Sequence, residues 1–351
     1  MKILKLCTVV TLFGLIGILV ILAISGILIS PKPPLWAMTQ NTSGNDTVYS
    51  TTYNKDQVTE SFGIKIFPNS AGQNETPSTA LRKIGQNESL EEYLWVSNQM
   101  TKSNEFLIFG LLDYQQIPFE FNDSILKLHH TIHMAPFEES SFRFKVPPME
   151  NGTHDFELFL VMNPNQHSLN DSFRLSTDQA LLGSRRINIL VGNATQYSPP
   201  PVIKYIGPIQ SCGSGYVLND GLLLTTKSCD NKALFSDHVN PQKTYDYSIN
   251  IAADKNYPVS VAIVPLLDYY QVPLAMNTKE NVAFFNLSAG EKIAVRANIF
   301  VPKEEGVHEL LVLWIPQPYV SLDDDLRSEQ LYHQWATSEP SIRVGLSVGS
   351  G

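Results

Sequence analysis

Apolar and polar residues alternate along many short segments after Glu91, which is the pattern of β-strands that bury one face. In Lys292–Phe300, for example, the odd-numbered positions from Ile293 to Ile299 are apolar and would share one face. The strands predicted in residues 91–192 are Tyr93–Asn98, Glu105–Leu112, Ile117–Phe121, Ile125–His133, Ser141–Val146, Asp155–Val161 and Arg186–Val191. Those predicted in residues 245–349 are Tyr245–Ala252, Val259–Leu267, Val272–Met276, Val282–Asn286, Lys292–Val301, His308–Ile315 and Ile342–Val348.

The two sets of strands belong to an internal repeat. Leu111–Pro118 reads LLDYQQIP, and Leu266–Pro273, 155 positions later, reads LLDYYQVP. Matching text follows both copies in the same order, including a glycine and a histidine two residues apart, Gly152 with His154 and Gly306 with His308 in the two copies. The sequence therefore predicts a mainly β chain with two tandem modules, 91–192 and 245–349. About seven short strands in about 100 residues are typical of an immunoglobulin-like β-sandwich.

The N-terminus predicts a membrane anchor. The run Leu6–Ser30 is 25 residues long and uncharged, whereas a helix needs about 20 residues to cross the hydrocarbon core. Lys2 and Lys5 precede it, which places residues 1–5 in the cytoplasm and everything after the span outside the plasma membrane. The alternative is a long cleaved signal peptide, for which Ala23–Ser25 offers small residues.

The segments outside the modules are predicted to be connectors. Residues 31–90 are polar and form a partly disordered stalk with one strand at Gly63–Phe67. Residues 193–244 form a linker, stiffened by the prolines of Ser198–Pro201.

Cysteine usage agrees with an external location. Cys212 and Cys229 are the two cysteines after the span, and they are predicted to form a disulfide that closes a loop of 17 residues. Cys7 remains free at the start of the span.

Asn-X-Ser/Thr triplets are frequent, and they predict glycosylation of an extracellular chain. The alternative is an asparagine-rich surface that is never modified. The nine asparagines are Asn41, Asn45, Asn74, Asn87, Asn122, Asn151, Asn170, Asn193 and Asn286.

One segment carries a resemblance to an enzyme family. Gly213–Val217, followed by Asp220–Cys229, is similar to the strand pair that bears the histidine of trypsin-like proteases. The position of that histidine is Ser228, which cannot act as a general base. The sequence therefore favours a disulfide-closed hairpin with a turn at Asn219–Gly221.

The histidines and acidic residues give no complete metal or catalytic set, so no cofactor and no metal site is predicted. His129, His130 and His133 are expected on a strand and facing solvent. His154 and His308 recur at one module position and are expected to be structural. Asp113–Tyr114 and Asp268–Tyr269 also recur, as a turn in which Asp accepts hydrogen bonds from the backbone two residues on and Tyr covers the core. The acidic triplet Asp323–Asp325 follows a capping serine and is expected to begin a short surface helix rather than to bind calcium.

The net charge of −9, with no basic patch, argues against nucleic acid as a partner. We therefore expect a non-enzymatic binding or structural protein with a protein or glycan partner. The alternatives are an accessory or degenerate hydrolase with its site in 208–238 and a non-catalytic subunit of a membrane complex. Recognition is predicted in the insertion Gln317–Pro340 through Tyr319, Tyr332 and Trp335, unless Trp335 only anchors the insertion onto its own sandwich.

Overall fold

The computed structural model describes residues 62–68, 80–174, 182–194, 197–198, 205, 207–276, 280–322 and 338–349. The predicted span Leu6–Ser30, most of the predicted stalk and the acidic triplet Asp323–Asp325 lie outside these ranges. Within them, no helix has the length and apolar composition needed to cross a membrane.

The first sandwich consists of two sheets around one apolar core. One sheet has the strand order β1-β3-β8-β6, and the other has the order β2-β10-β9-β4-β5, with β7 also paired to β4. The core joins Leu94 and Phe144 of the first sheet to Ile108 and Leu158 of the second, all at most 1% exposed. Its elements are β1 (Phe62–Phe67), β2 (Leu81–Ile84), β3 (Leu90–Asn98), β4 (Asn104–Leu112), β5 (Gln115–Ile117), β6 (Glu120–Phe121), β7 (His130–Met134), β8 (Glu139–Val146), β9 (Gly152–Met162), α1 (Asp171–Arg174) and β10 (Leu182–Val191).

The second sandwich repeats this plan. One sheet has the order β11-β18-β14-β12, and the other has the order β13-β21-β19-β15-β16, with β17 paired to β15 and β20 to β19. Its strands are β11 (Ile209–Ser211), β12 (Gly221–Thr225), β13 (Ser236–Val239), β14 (Thr244–Ala252), β15 (Val259–Leu267), β16 (Tyr270–Gln271), β17 (Ala283–Leu287), β18 (Lys292–Phe300), β19 (Gly306–Pro316), β20 (Glu339–Pro340) and β21 (Val344–Val348).

Most predicted strands are confirmed, including Gly63–Phe67 within β1 and Val259–Leu267 as β15. Three predictions are wrong. Ile117–Phe121 is not one strand, because Pro118 lies between β5 and β6, which belong to different sheets. Val272–Met276 is not a strand, because Pro273 has no backbone N–H to donate to a sheet. Ile125–His133 becomes a strand only at His130, after a turn in which Asn122 and Asp123 adopt positive φ angles of 49° and 61°.

Each sandwich begins earlier than the sequence predicts. β1 pairs with β3 and β2 pairs in parallel with β10, so these two strands belong to the first sandwich rather than to a stalk. In the same way, β12 pairs with β14 and β13 pairs in parallel with β21, so most of the predicted linker is part of the second sandwich. The repeat therefore starts at β1 and β12.

The disulfide between Cys212 and Cys229 is confirmed, but the predicted hairpin is wrong. Residues 212–220 form no strand, and β12 pairs with β14 instead of folding back on them. The closed segment forms a small apolar cluster in which Tyr216 and Leu218 contact Leu223 and Ala252. The disulfide thus fastens this segment to the second sandwich.

Candidate functional site: the seam between the two sandwiches

The two sandwiches contact each other through the sheets that contain β9 and β19, and we call this contact the seam. Along β9, Leu158 and Leu160 face the first core, while Phe159 and Val161 face the second sandwich. Leu311 and Leu313 of β19 meet them from the other side, and all four seam residues are at most 1% exposed. Both strands are therefore covered on both faces, and the apolar surface removed from water stabilises the contact.

The repeated Asp–Tyr pair forms the same turn in both copies. Asp113 and Tyr114 have φ angles of 49° and 65°, and Asp268 and Tyr269 have φ angles of 50° and 66°. Positive φ at both central residues is what a type I′ turn between two strands requires. The predicted turn is confirmed. The predicted bonding is wrong, because Oδ1 of each Asp accepts from the strand beside it, from the Asp155 N–H (3.0 Å) and the Glu309 N–H (2.9 Å).

The repeated histidine clasps each turn. Nδ1 of His154 lies 2.6 Å from Oδ2 of Asp113, and Nε2 lies 2.9 Å from the Glu150 carbonyl oxygen. His308 makes the same two contacts, at 2.6 Å and 2.9 Å, with Asp268 and Glu304. Both partners are acceptors, so these contacts favour the charged form of the ring, in which both nitrogens donate.

The pKa of each histidine reflects these bonds. The hydrogen bond to Asp113 raises the pKa of His154 above its usual value. For His308, burial is the largest influence and lowers the pKa, but the bonds to Asp268 and to the Glu304 carbonyl outweigh it, and the pKa is raised. Because both nitrogens are occupied by the fold, these histidines serve the turn.

The tyrosine of each turn crosses the seam. The Tyr114 ring packs edge-on against Tyr319 at 5.0 Å and Phe284 at 5.7 Å, and its hydroxyl accepts from the Tyr319 N–H at 2.9 Å. Tyr269 donates from its hydroxyl to the Pro164 carbonyl at 3.2 Å. A bulky residue with positive φ costs about 1–3 kcal/mol, and these contacts offset the strain.

Two glutamines join the copies near the turns. The Gln116 N–H donates to Oε1 of Gln271 at 2.7 Å, and the Gln271 N–H donates to Oε1 of Gln116 at 2.9 Å. Their side-chain amides donate to the Tyr269 and Tyr114 carbonyls, both at 2.9 Å. The exchange is reciprocal, so the two copies meet here in a locally twofold arrangement.

A buried carboxylate follows each histidine, and the two have different partners. Asp155 accepts hydrogen bonds from the hydroxyls of Tyr114 and Tyr197, from Nδ2 of Asn188 at 2.6 Å, and across the seam from the Tyr319 N–H at 2.9 Å. These four donors are neutral. The nearest guanidinium nitrogen, on Arg186, is 3.9 Å away.

Glu309 is surrounded by cations instead. Nη1 of Arg174 donates to it at 2.5 Å, Nδ1 of His167 lies at 2.8 Å, and Nε of Arg343 lies at 3.6 Å. Burial raises the pKa of Glu309, but His167 and the two arginines outweigh it, and the pKa is lowered. Gly345 makes room for this cluster, because a Cβ there would lie 2.2 Å from Nη2 of Arg174.

The insertion Gln317–Pro340 is fixed to the first sandwich at both of its described ends. At its start, the Leu322 N–H donates to Oδ1 of Asn188 at 2.5 Å. At its end, Ser338 donates from its hydroxyl to Oε1 of Glu157 at 2.6 Å. Burial raises the pKa of Glu157 to about 7.

The partner-binding residues predicted from the sequence fall on this insertion. Tyr319 was expected to be exposed, and that expectation is wrong, because it is 8% exposed and packs in the seam. Its ring is apolar surface that the first sandwich already covers. Tyr332 and Trp335 lie outside the described residues, and their role remains a prediction.

The histidine group of the first module faces solvent only in part. The His133 side chain is 78% exposed, as expected. His130 is buried, with Nε2 2.9 Å from the Phe119 carbonyl, and His129 lies 2.9 Å from the Tyr269 carbonyl across the seam. Burial lowers the pKa of both. In the described part of the chain, no group of three or more His, Cys, Asp or Glu side chains is arranged to hold a metal ion.

The serines of the hydrolase alternative have no histidine beside them among the described residues. Oγ of Ser228 lies 3.1 Å from Oγ of Ser248. A serine nucleophile needs a general base within hydrogen-bond reach, so this geometry offers the alternative no support.

The six described asparagines of the glycosylation triplets are all exposed, namely Asn87, Asn122, Asn151, Asn170, Asn193 and Asn286. Asn41, Asn45 and Asn74 lie outside the described residues.

Comparisons with known proteins add little. No protein-family model and no curated protein matches this chain. Among solved structures, the CARDB domain of a Pyrococcus furiosus protein, determined with di-metal ions, is 14% identical over 38% of this chain and 94% of that chain, with a TM-score of 0.22. Red sea bream transglutaminase is 9% identical over 84% of this chain and 32% of that chain, with a TM-score of 0.23. The calcium-binding domain CBD12 of CALX1.1 is 9% identical over 77% of this chain and 94% of that chain, with a TM-score of 0.21. Likenesses of this size carry no argument about function, and what stands is a mainly β chain whose sheets form sandwiches.

Proposed function

We propose that this chain is a binding or structural protein of the cell surface, anchored in the plasma membrane by Leu6–Ser30 and carrying two immunoglobulin-like sandwiches as one rigid, non-catalytic head. The observation that carries the proposal is the bonding of the groups shared by both copies. The Asp, Tyr and His of each copy are all held in internal hydrogen bonds. Both copies keep the same three polar side chains and use them to hold their own turns. This favours a scaffold over an active site.

Two further features support an external location. The disulfide between Cys212 and Cys229 is of the kind that persists in oxidising surroundings. The exposed asparagines of the glycosylation triplets are accessible to a modifying enzyme. The apolar run, the disulfide and the triplets come from different parts of the chain and agree on one location.

The test of the location is protease treatment of intact cells that contain the full chain. The expected result is loss of both sandwiches while a cytoplasmic marker stays intact. Protection of the sandwiches until the cells are lysed would overturn the external location.

For recognition, we propose that the insertion Gln317–Pro340 contacts a protein or glycan partner through Tyr332 and Trp335. Large aromatic side chains offer contact area at small entropic cost. The double variant Tyr332→Ala/Trp335→Ala should lose the partner captured by the parent chain and keep the parent's melting temperature. Tyr319→Ala is the matched control, because Tyr319 packs in the seam and its loss should lower the melting temperature. A fall in melting temperature in the double variant, with capture unchanged, would contradict the proposal.

A further inference from the structure

The asparagines of the glycosylation triplets are unevenly placed on the molecule. In the first sandwich, Asn87 follows β2, Asn151 precedes β9 and Asn193 follows β10. The last residue of β10, Val191, pairs with Ile84 at the end of β2 and with Gly152 at the start of β9. The three asparagines therefore leave the sandwich at the same end, which we call the Val191 end.

The chain reaches the first sandwich at the opposite end. Phe62, the first residue of β1, pairs with Asn98 at the end of β3. The chain then passes directly into β4, which begins at Asn104, and the far end of β4, Leu112, pairs with Phe156 beside the Val191 end. The Phe62 end and the Val191 end are thus separated by the full length of the strands, about 3.3 Å for each residue.

The second sandwich places its one described triplet asparagine at the Val191 end as well. Asn286 pairs with Ser260 at the start of β15, and the Ser260 carbonyl accepts from the Gln317 N–H just after β19 ends. Two residues further on, the Tyr319 N–H donates to Asp155 of the first sandwich at 2.9 Å. Asp155 pairs with Asn188 of β10, three residues before Val191.

We propose that the Val191 end is a glycan-bearing cap, with N-linked oligosaccharide on Asn87, Asn151, Asn193 and Asn286. The donor is an oligosaccharide held through phosphate on a lipid carrier. The transfer joins Nδ2 of the asparagine to the anomeric carbon of the sugar, releases the phosphate-linked carrier as the leaving group and returns one amide proton to solvent. All four asparagines are exposed, so the sugars need no rearrangement of the fold.

The cap lies away from the point at which the described chain enters the first sandwich. Phe62 is the first described residue, so the Val191 end is the end farther along the strands from that entry. Oligosaccharides there cover loops at this end. The Phe62 end holds another described triplet asparagine, Asn170, in the insertion that follows β9.

The cap rests on the external location proposed above, and the experiment separates the two. The full chain is isolated from its own cells, and glycopeptides containing each of the six described asparagines are mapped by mass. The quadruple variant Asn87→Gln/Asn151→Gln/Asn193→Gln/Asn286→Gln is compared with Asn170→Gln, an exposed triplet position in the insertion before α1. Ser89→Ala, which destroys the Asn87 triplet without touching the asparagine, is used where the quadruple variant does not fold.

Sugar on at least three of the four asparagines, a large mass loss in the quadruple variant and loss of the Asn87 glycopeptide in Ser89→Ala are the expected results. Unmodified Asn87, Asn151 and Asn193 on a chain that external protease digests would overturn the cap while leaving the location intact. Sandwiches protected from external protease would overturn both proposals.

Discussion

The two halves of the seam hold a buried carboxylate at matching positions, yet they neutralise it in different ways. Asp155 receives hydrogen bonds from hydroxyl, amide and backbone donors and has one guanidinium, that of Arg186, at 3.9 Å, whereas Glu309 lies among Arg174, Arg343 and His167. The turn, the histidine and the crossing tyrosine are the same on both sides. The comparison teaches that the fold requires a buried carboxylate after the repeated histidine. Either neutral donors or cations can occupy the hydrogen-bonding positions around that carboxylate. The energetic consequences differ, because a buried cation left without its partner is far more costly than an unpaired neutral donor.

The largest expected effect comes from removing the charge of Glu309. Glu309→Gln keeps the shape of the side chain but leaves Arg174 and Arg343 buried without a negative partner, at a cost of about 3–5 kcal/mol. The matched change Asp155→Asn should cost about 1–3 kcal/mol, because its four donors are neutral and the buried Arg186, 3.9 Å away, keeps Glu157 as a second acidic neighbour. Urea unfolding of both variants measures the difference. An equal or larger cost for Asp155→Asn would show that the two sites are not distinguished by charge.

The next effect concerns the disulfide, which only the second sandwich has among the described residues. Cys212→Ser/Cys229→Ser removes the closure of a 17-residue segment, worth about 3 kcal/mol on the chain-entropy model. Hydrogen exchange should rise in β12 and in the cluster around Tyr216 while β1 to β10 stay protected. Increased exchange throughout the first sandwich would contradict a local role.

A smaller effect distinguishes the two crossing tyrosines. Tyr114→Phe removes a hydroxyl that bonds Asp155 and the Tyr319 N–H, and should cost about 1–3 kcal/mol. Tyr269→Phe removes a single bond of 3.2 Å to the Pro164 carbonyl and should cost about 1 kcal/mol or less. Chemical denaturation at one pH compares them. A larger loss of stability in Tyr269→Phe than in Tyr114→Phe would contradict the claim that the Tyr114 hydroxyl contributes more.

The smallest effect is shared by the two copies and depends on pH. The pKa values of His154 and His308 are raised above the usual 6.5, so their clasps contribute fully below pH 6.5 and are lost as pH rises through the folded-state pKa. The stability gap between the parent chain and His154→Gln/His308→Gln should therefore be larger at about pH 6 than at about pH 9. A gap that is constant or grows with pH would show that the rings are not charged in the fold.

Local patterns predicted many of the strands and the repeat, because alternation and turn residues act over a few positions. Val259–Leu267 is β15 to the residue. The membership of β1, β2, β12 and β13 was missed, since their partners lie far away in the chain and their lengths of four to six residues give little pattern. Because the partners of these strands were not recognised, their residues were assigned to a stalk and a linker.

The seam was missed although the sequence contains a signal for it. Leu158–Met162 and Leu310–Ile315 are continuous apolar runs, and a strand with no polar face is typical of one that is covered on both sides. The residue types that cross the seam are harder to recognise from the sequence than the apolar runs. Tyr114 occupies a position with positive φ where glycine is usual, and only the fold reveals that its ring is needed across the seam.

The central claim is that the seam makes one body of the two sandwiches, and differential scanning calorimetry of the full chain tests it most directly. If the apolar seam and the two buried carboxylates couple the copies, the described sandwiches unfold in one transition whose calorimetric and van't Hoff enthalpies agree. Glu309→Gln should lower the midpoint temperature of that transition without dividing it in two. Two separate transitions in the parent chain, of which Glu309→Gln moves only one, would contradict the claim.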